Sequence, residues 1–229
     1  MVEAKMVGKR YIGKQALKDV SLTLEDGRIY ALLGPNGSGK TTFMKMVAGL
    51  VKPTCGLLYY NNNSIGVESK REVAYMSTEP FFYPYMTVRQ VGKYFEDFFP
   101  DFSMTRYEEL IARMDLNMTD KAKELSSGLA AKLKLAATIA RDAKLYLLDE
   151  PLNGIDIIAR ETIISTIVEA ATEGKSIVIS SHLVDELEPV VDNVIFMKEG
   201  SVVLSGEAET VRSERGKSIV DLYKEIYAE

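Results

Sequence analysis

Apolar residues along this chain switch repeatedly between two spacings, every second position and every third or fourth, and the switches mark out its elements. Residues 2–9 and 16–24 read as strands, the second alternating through Val20, Leu22 and Leu24, with Asp26-Gly27 as a tight turn behind it. Tyr11 falls in a short polar turn between them. Residues 30–33 form a continuous apolar run, the mark of a buried strand, and Phe43, Met46, Val47 and Leu50 then recur at helical spacing. Residues 57–60 and 73–77 read as short strands, flanked by turns at 53–56 and at Asn61-Asn62-Asn63.

From Glu79 the pattern changes. The segment EPFFYPYMTVRQVGKYFEDFFPDF is dense in aromatics, and Thr87 can cap a helix that Pro100 stops. A second helix over 105–114 carries Tyr107, Leu110, Ile111 and Met114 on one face, and Ser126 precedes a third with Leu129, Leu133, Leu135, Ala136 and Ile139 apolar. The strand–helix alternation then returns: a strand over 144–148, a helix over Ile157–Thr172 closed by Gly174, a strand over 176–180 and a short helix over 182–187. A hairpin pairs 194–197 with 201–204, and an amphipathic helix covers Ile219–Tyr227. Strands alternating with helices predict an α/β fold with a mostly parallel sheet covered on both faces. The expectation is a single domain over 1–229, with an antiparallel N-terminal β subdomain and a helical lobe inserted over about 80–143.

Composition narrows the functional classes. The net charge of −5, without a basic block, argues against a nucleic-acid partner. A single cysteine, Cys55, excludes a disulfide framework and points to a reducing compartment. No apolar run approaches the ~20 residues that span a bilayer, and MVEAKMVGKRY lacks the apolar segment of a signal peptide. Any membrane association is therefore expected through another chain.

Two stretches carry candidate chemistry. Between the strand at 30–33 and the helix behind it, Gly34, Gly39, Lys40 and Thr41 match G-x-x-x-x-G-K-[ST]. Glycines let successive N–H groups converge on an anion, and the helix N-terminus adds partial positive charge. Lys40 can reach β- and γ-phosphates, and Thr41 can place a hydroxyl on Mg²⁺. A chance match occurs in roughly one chain in a hundred of this length, and the strand-before, helix-after context makes it rarer. The second stretch, KLYLLDEP, ends an apolar strand in two carboxylates, where parallel sheets place ligands. Asp149 suits Mg²⁺, directly or through water, and Glu150 suits polarising an attacking water. His182, the only histidine, follows the strand SIVIS and stands beyond the same sheet edge.

With these in place the chain resembles the nucleotide-binding subunit of an ATP-binding cassette (ABC) transporter, and the likeness runs over nearly its whole length. GPNGSGKTT resembles the family's phosphate loop, LSSGL at 125–129 its signature, YLLDEP its second Walker motif, Gly154-Ile155-Asp156 its D-loop, and ISSH its switch histidine. The implied fold is a P-loop NTPase core of ABC type. The implied activity is ATP hydrolysis with Mg²⁺, with Lys40, Glu150 and His182 catalytic. The loop from Gly34 through Pro35, Asn36, Gly37, Ser38 and Gly39 to Lys40, Thr41 and Thr42 would bind ATP, and Tyr11 stands where the family stacks an aromatic on adenine.

The resemblance further implies a head-to-tail homodimer or heterodimer with another ABC ATPase subunit. Ser126, Ser127, Gly128 and Asp156 would then contact the ATP bound mainly by the other subunit. Ser126 and Gly128, at a helix start, suit that role by offering a hydroxyl and N–H groups to a γ-phosphate. A transmembrane permease would dock near Phe81, Phe82, Tyr83, Tyr85 and Met86, which sets the chain at the cytoplasmic, inner face of the cell membrane. The segment FFYPYMTV most resembles stand-alone subunits of bacterial export systems. Two departures stand out: Ser127 and Leu129 replace the usual glycine and glutamine, and Thr78, followed by Glu79, replaces the Q-loop glutamine. Thr78 or Glu79 is expected to take over that residue's Mg²⁺-side role, since hydroxyl and carboxylate oxygens suit a hard cation. The rival reading is an ABC-type ATPase serving assembly or scaffolding without a membrane transporter.

Overall fold

This computed structural model describes residues 1–228. The chain opens with β1 (Val2–Tyr11) and β2 (Lys14–Leu24), paired antiparallel. β3 (Ile29–Leu33) is buried at every position, as its unbroken apolar run requires, and leads through the glycine-rich loop into α1 (Lys40–Val47). β4 (Cys55–Tyr60) and β5 (Asn63–Ser64) return to the first sheet, whose order is β2-β1-β4-β5. A short α2 (Val67–Glu72) precedes β6 (Val73–Met76).

The helical lobe follows. α3 (Val88–Phe98) begins with a capping box in which the Thr87 side chain accepts from the Gln90 N–H and the Gln90 side chain accepts from the Thr87 N–H. Ser103 caps α4 (Met104–Arg113) and Ser126 caps α5 (Ser127–Ile139) through the side-chain oxygen alone, accepting the N–H of Arg106 and of Leu129. The apolar faces of all three helices merge with one face of the larger sheet into a continuous core that includes Val88, Tyr107, Leu133 and Ile177.

β7 (Leu145–Asp149), α6 (Ile157–Thr172), β8 (Ser176–Ser181), α7 (Val184–Leu187), β9 (Asn193–Lys198), β10 (Ser201–Glu207), α8 (Ala208–Arg215) and α9 (Ile219–Tyr227) complete the chain. The larger sheet runs β10-β9-β3-β8-β7-β6 and is parallel except for β10. Its register sets Leu33 beside Ser181 and Phe196, and Asp149 beside Ser180. The carboxyl ends of β3, β7 and β8 thus share one edge, where a doubly wound sheet binds its ligand.

Several boundaries differ from the sequence reading. Tyr11 is the last paired residue of β1, opposite Lys14, because the turn needs only Ile12 and Gly13. Cys55 and Asn63 fall in strands rather than turns, drawn in by pairing with Gly8 and Tyr60. His182 precedes α7, which starts at Val184. α2 and α8 were not expected: α2 buries only Ser69, and α8 only Ala208 and Val211, too few to give a periodic apolar signal.

Candidate active site

The turn from β3 into α1 is built around main-chain conformations that exclude side chains. Gly34 lies at φ 153°, where an added Cβ would run into the Met197 carbonyl. Gly39 lies at φ 110° and would press its Cβ 2.9 Å from the Ala16 carbonyl. Gly39 is also the residue before α1, so the first amides of that helix, at Lys40, Thr41 and Thr42, are left without intrahelical partners. They adjoin a cleft of about 300 Å³ whose walls include Asn36, Gly37, Ser38, Lys40, Thr41 and Thr42. Pro35 holds the loop by accepting the Ser38 N–H at 3.2 Å. Lys40, only 5% exposed, donates to Gly34 O at 2.6 Å and Pro35 O at 3.3 Å. The amine therefore lies folded back over the loop that it would share with a phosphate.

The two carboxylates behave differently. Asp149 is fully buried and its oxygens are taken: Oδ1 accepts from Ser180 at 2.6 Å and Thr41 at 3.2 Å, and Oδ2 accepts from the Tyr75 hydroxyl at 3.1 Å. Burial, together with the Asp149 charge, pushes the Tyr75 phenol above its ordinary range, so it remains a donor. Glu150 adopts a left-handed φ of 51°, a strained conformation for a side chain. Two contacts hold it there, its N–H donating to Ser180 Oγ at 2.9 Å and Ser180 O at 3.2 Å. The bend turns the carboxylate back toward the cleft. Oε2 lies 2.9 Å from His182 Nδ1, and a carboxylate can only accept, so Nδ1 carries the proton. Oε1 lies 3.4 Å from Lys40 Nζ, but no hydrogen bond reaches it.

The remaining expected residues sort by position. Thr78 and His182 line the cleft with Glu150. Glu79 does not: its side chain is 78% exposed and its nearest cation is Lys45, at 3.9 Å. Ser127 borders an adjoining cavity of about 410 Å³ that shares Thr78, Glu150 and Asn153 with the cleft, and its hydroxyl reaches Gly154 O at 3.4 Å. Ser126 serves as the cap of α5, and Asp156 caps α6 by accepting the Ala159 N–H at 2.9 Å. Gly128 passes close to the Gly154 carbonyl, where a Cβ would sit at 3.4 Å. Tyr11 is not on the cleft wall. It stands exposed under the Lys9 amine, 5.1 Å from the ring centre, on the hairpin whose second strand sends Lys14 and Ala16 into the cleft.

The Tyr75 and Ser180 hydroxyls at Asp149, and Lys14, Asn153 and Lys134, were not among the expected site residues. Lys134 donates from α5 to Ser77 O at 3.0 Å and Thr78 O at 2.8 Å, tying the helical lobe to the cleft wall, and its burial lowers the ammonium's pKa. The polar ending of a buried strand, SIVISS, was the one signal that could have flagged Ser180.

The site's open valences fit a phosphate and a cation. Ser38 Oγ and Glu150 Oε1 are buried polar atoms without hydrogen-bond partners, a condition that normally marks a missing ligand or water. Thr41 and Asp149 present adjacent oxygens, the donor type that Mg²⁺ prefers. Among the described residues no group of three or more His, Cys, Asp or Glu could hold a metal on its own. A Mg²⁺ here would thus share one carboxylate and one hydroxyl with nucleotide phosphates, as it commonly does.

If Tyr11 stacks on a base, Tyr11→Ala weakens ATP binding by the ~1–3 kcal/mol typical of base–aromatic stacking. Calorimetry on both proteins checks this, and equal affinities would remove Tyr11 from the site.

Comparison with known proteins agrees with this geometry. The ABC transporter family profile matches residues 17–153. The ABC transporter ATP-binding protein YtrB of Bacillus subtilis (strain 168) is 33% identical over an alignment covering 93% of this chain and 74% of its own length. The lantibiotic transport ATP-binding protein SrtF of Streptococcus pyogenes is 31% identical, over 90% of this chain and 91% of its own. Among solved structures, an ATP binding subunit of an ABC transporter superposes with a TM-score of 0.87 at 26% identity, covering 98% of each chain. The chain therefore belongs to the ABC transporter family, as an ATP-binding and ATP-hydrolysing subunit.

Proposed function

We propose that this subunit powers the movement of a substrate, in the export direction, by closing and reopening a dimer coupled to a partner permease. The single observation that carries the chemical part is the Glu150 carboxylate, held between Lys40 and His182 with one oxygen lacking a hydrogen bond. Phosphates entering the loop compete for the Lys40 amine and draw it off Glu150. Oε1 is then the acceptor that faces the cleft and can take a proton from water attacking the γ-phosphate. His182 Nδ1–H steadies the other oxygen, which leaves Nε2 as an acceptor. Mg²⁺, held by Thr41 and Asp149, would supply neutralising charge at the β- and γ-phosphates. Thr78, on the cleft wall, is better placed than Glu79 to take the role of the missing glutamine.

The coupling part rests on two surfaces. Ser126 and Ser127 are exposed at the N-terminus of α5, which suits them to approach the ATP held by another subunit, in a homodimer or heterodimer. On the lobe, an apolar groove of about 710 Å³ runs between Pro80, Phe81, Tyr94, Phe95 and Phe98. Phe81, Phe82 and Met86 pack partly against the core, whereas Tyr83 and Tyr85 stack on each other 5.4 Å apart and stay exposed. Exposed apolar surface of this kind suits a permease helix. Among the described residues no helix is long and apolar enough to cross a membrane, so attachment at the inner face would come through that partner. The lantibiotic transport relative supports a transport role, and the FFYPYMTV resemblance supports export. The whole chain would act as one ABC ATPase domain, its helical lobe sharing the core.

The test of coupling is Phe98→Asp. This side chain is exposed on the groove, so basal hydrolysis should stay within about twofold, as for other surface changes. The amount recovered with membranes from cells should fall severalfold. Unchanged recovery with membranes would count against a docked permease at this groove.

A further inference from the structure

The phosphate loop is braced from behind by a helix that supplies none of its motif residues. The Tyr227 hydroxyl, near the end of α9, donates to Met197 O at 2.9 Å and to Leu33 O at 3.2 Å, one proton shared between two carbonyls. Leu33 is the residue from which the phosphate loop departs. Met197 O lies on the other side against Gly34, where it leaves no room for a Cβ. The same hydroxyl thus fixes both main-chain groups that define how the loop begins. Beyond them, Gly34 O accepts the Lys40 amine at 2.6 Å, so the chain of contacts runs from α9 to the phosphate-binding cation.

α9 is itself held at both ends. At its start, the Glu188 carboxylate, just after α7, accepts the N–H groups of Ile219 at 2.9 Å and Val220 at 3.3 Å. At its end, Lys198 donates to Ile226 O at 2.7 Å. The Tyr227 ring stacks on Phe196 and packs 4.6 Å from Tyr223, so the hydroxyl has little freedom. Burial also pushes the phenol above its usual range, which keeps it a donor at any physiological pH. α9 thus links Glu188, just after the helix that follows His182, to the strand ends at Leu33 and Met197.

We propose that α9 is a strap across the back of the nucleotide site, and that Tyr227 is a positioning residue that sets the phosphate loop through the Leu33 and Met197 carbonyls. It touches neither nucleotide nor reacting water. Its effect is to keep the loop amides converged before ATP arrives, so that little ordering is left for binding to accomplish. The inference rests on the reading of Gly34–Lys40 as the ATP site.

The experiment is Tyr227→Phe, which keeps the ring and removes one hydroxyl, with Tyr223→Phe, one turn earlier, as control. Losing a hydrogen bond of ordinary strength should weaken ATP binding about three- to tenfold. The KM for ATP should rise by a similar factor, and kcat should stay within about twofold. Hydrogen exchange should speed up at the amides of residues 34–40 and remain unchanged in β6 and β7. Tyr223→Phe should match the wild type in all of these. Wild-type affinity and loop exchange in Tyr227→Phe would overturn the proposal. So would faster exchange across the whole sheet with a lowered melting temperature, since that marks a general packing role. A wild-type protein that fails to bind ATP would instead overturn the reading of the site, whatever the variant does.

Discussion

Glu150→Gln is expected to lower ATP turnover by ~10²–10⁴-fold, the loss typical of removing a general base, while ATP still binds. The substitution keeps the shape of the side chain. The left-handed bend at residue 150 is held by its own N–H on Ser180, a main-chain contact that glutamine retains. The amide can also still accept from His182 Nδ1. What it loses is the ability to take a proton from water at Oε1. A neutral group beside Lys40 also leaves that amine freer to turn to a phosphate, so affinity should hold or improve. Single-turnover hydrolysis measures the first effect and calorimetry the second. Turnover within about tenfold of the wild type would mean that the proton goes elsewhere, with His182 the next group in the cleft to test.

Lys40→Met should act on binding instead. The amine is placed to make charge-assisted hydrogen bonds to two phosphates, at roughly 1.5–3 kcal/mol each. Losing both predicts an ATP affinity lower by on the order of 10²–10⁴-fold. Two further consequences follow from its present contacts. Gly34 O and Pro35 O lose their donor, which loosens the loop. The Glu150 carboxylate, only 10% exposed, loses its nearby cation. Titration calorimetry with ATP checks the affinity. A loss below about tenfold would imply that the loop amides and helix dipole supply most of the attraction, and Lys40 would then be only a loop brace.

The parts of this molecule that were legible in its sequence are those whose signal is local. The phosphate loop declares itself because strand, glycines and helix are contiguous. Thr87 and Ser126 each cap the helix they directly precede, and Ile157–Thr172 and Ile219–Tyr227 begin and end where their apolar period does. Only long-range packing could reveal the rest. Asp149 draws its partners from Thr41, Tyr75 and Ser180, separated from it by 108, 74 and 31 positions. The Tyr227 hydroxyl finds Leu33 across 194 positions, with nothing in the local pattern to announce it. Glu79 adjoins Thr78 in sequence, but the chain bends there, after β6, and the two side chains part, one to the cleft and one to solvent beside Lys45.

If two ABC ATPase subunits close around shared ATP, light scattering on Glu150→Gln with and without Mg-ATP reads that closure in its homodimeric form. A ligand that binds only the closed form drives association by mass action, and slowed turnover lets the bridged state accumulate. Expected is a monomer without nucleotide and a dimer with it, and a monomer in both conditions once Ser126→Arg is added, because an arginine at the exposed cap of α5 blocks the shared site without touching the phosphate loop. A monomer with Mg-ATP in Glu150→Gln alone, with ATP binding confirmed separately, or a dimer that persists with Ser126→Arg, would contradict that closure.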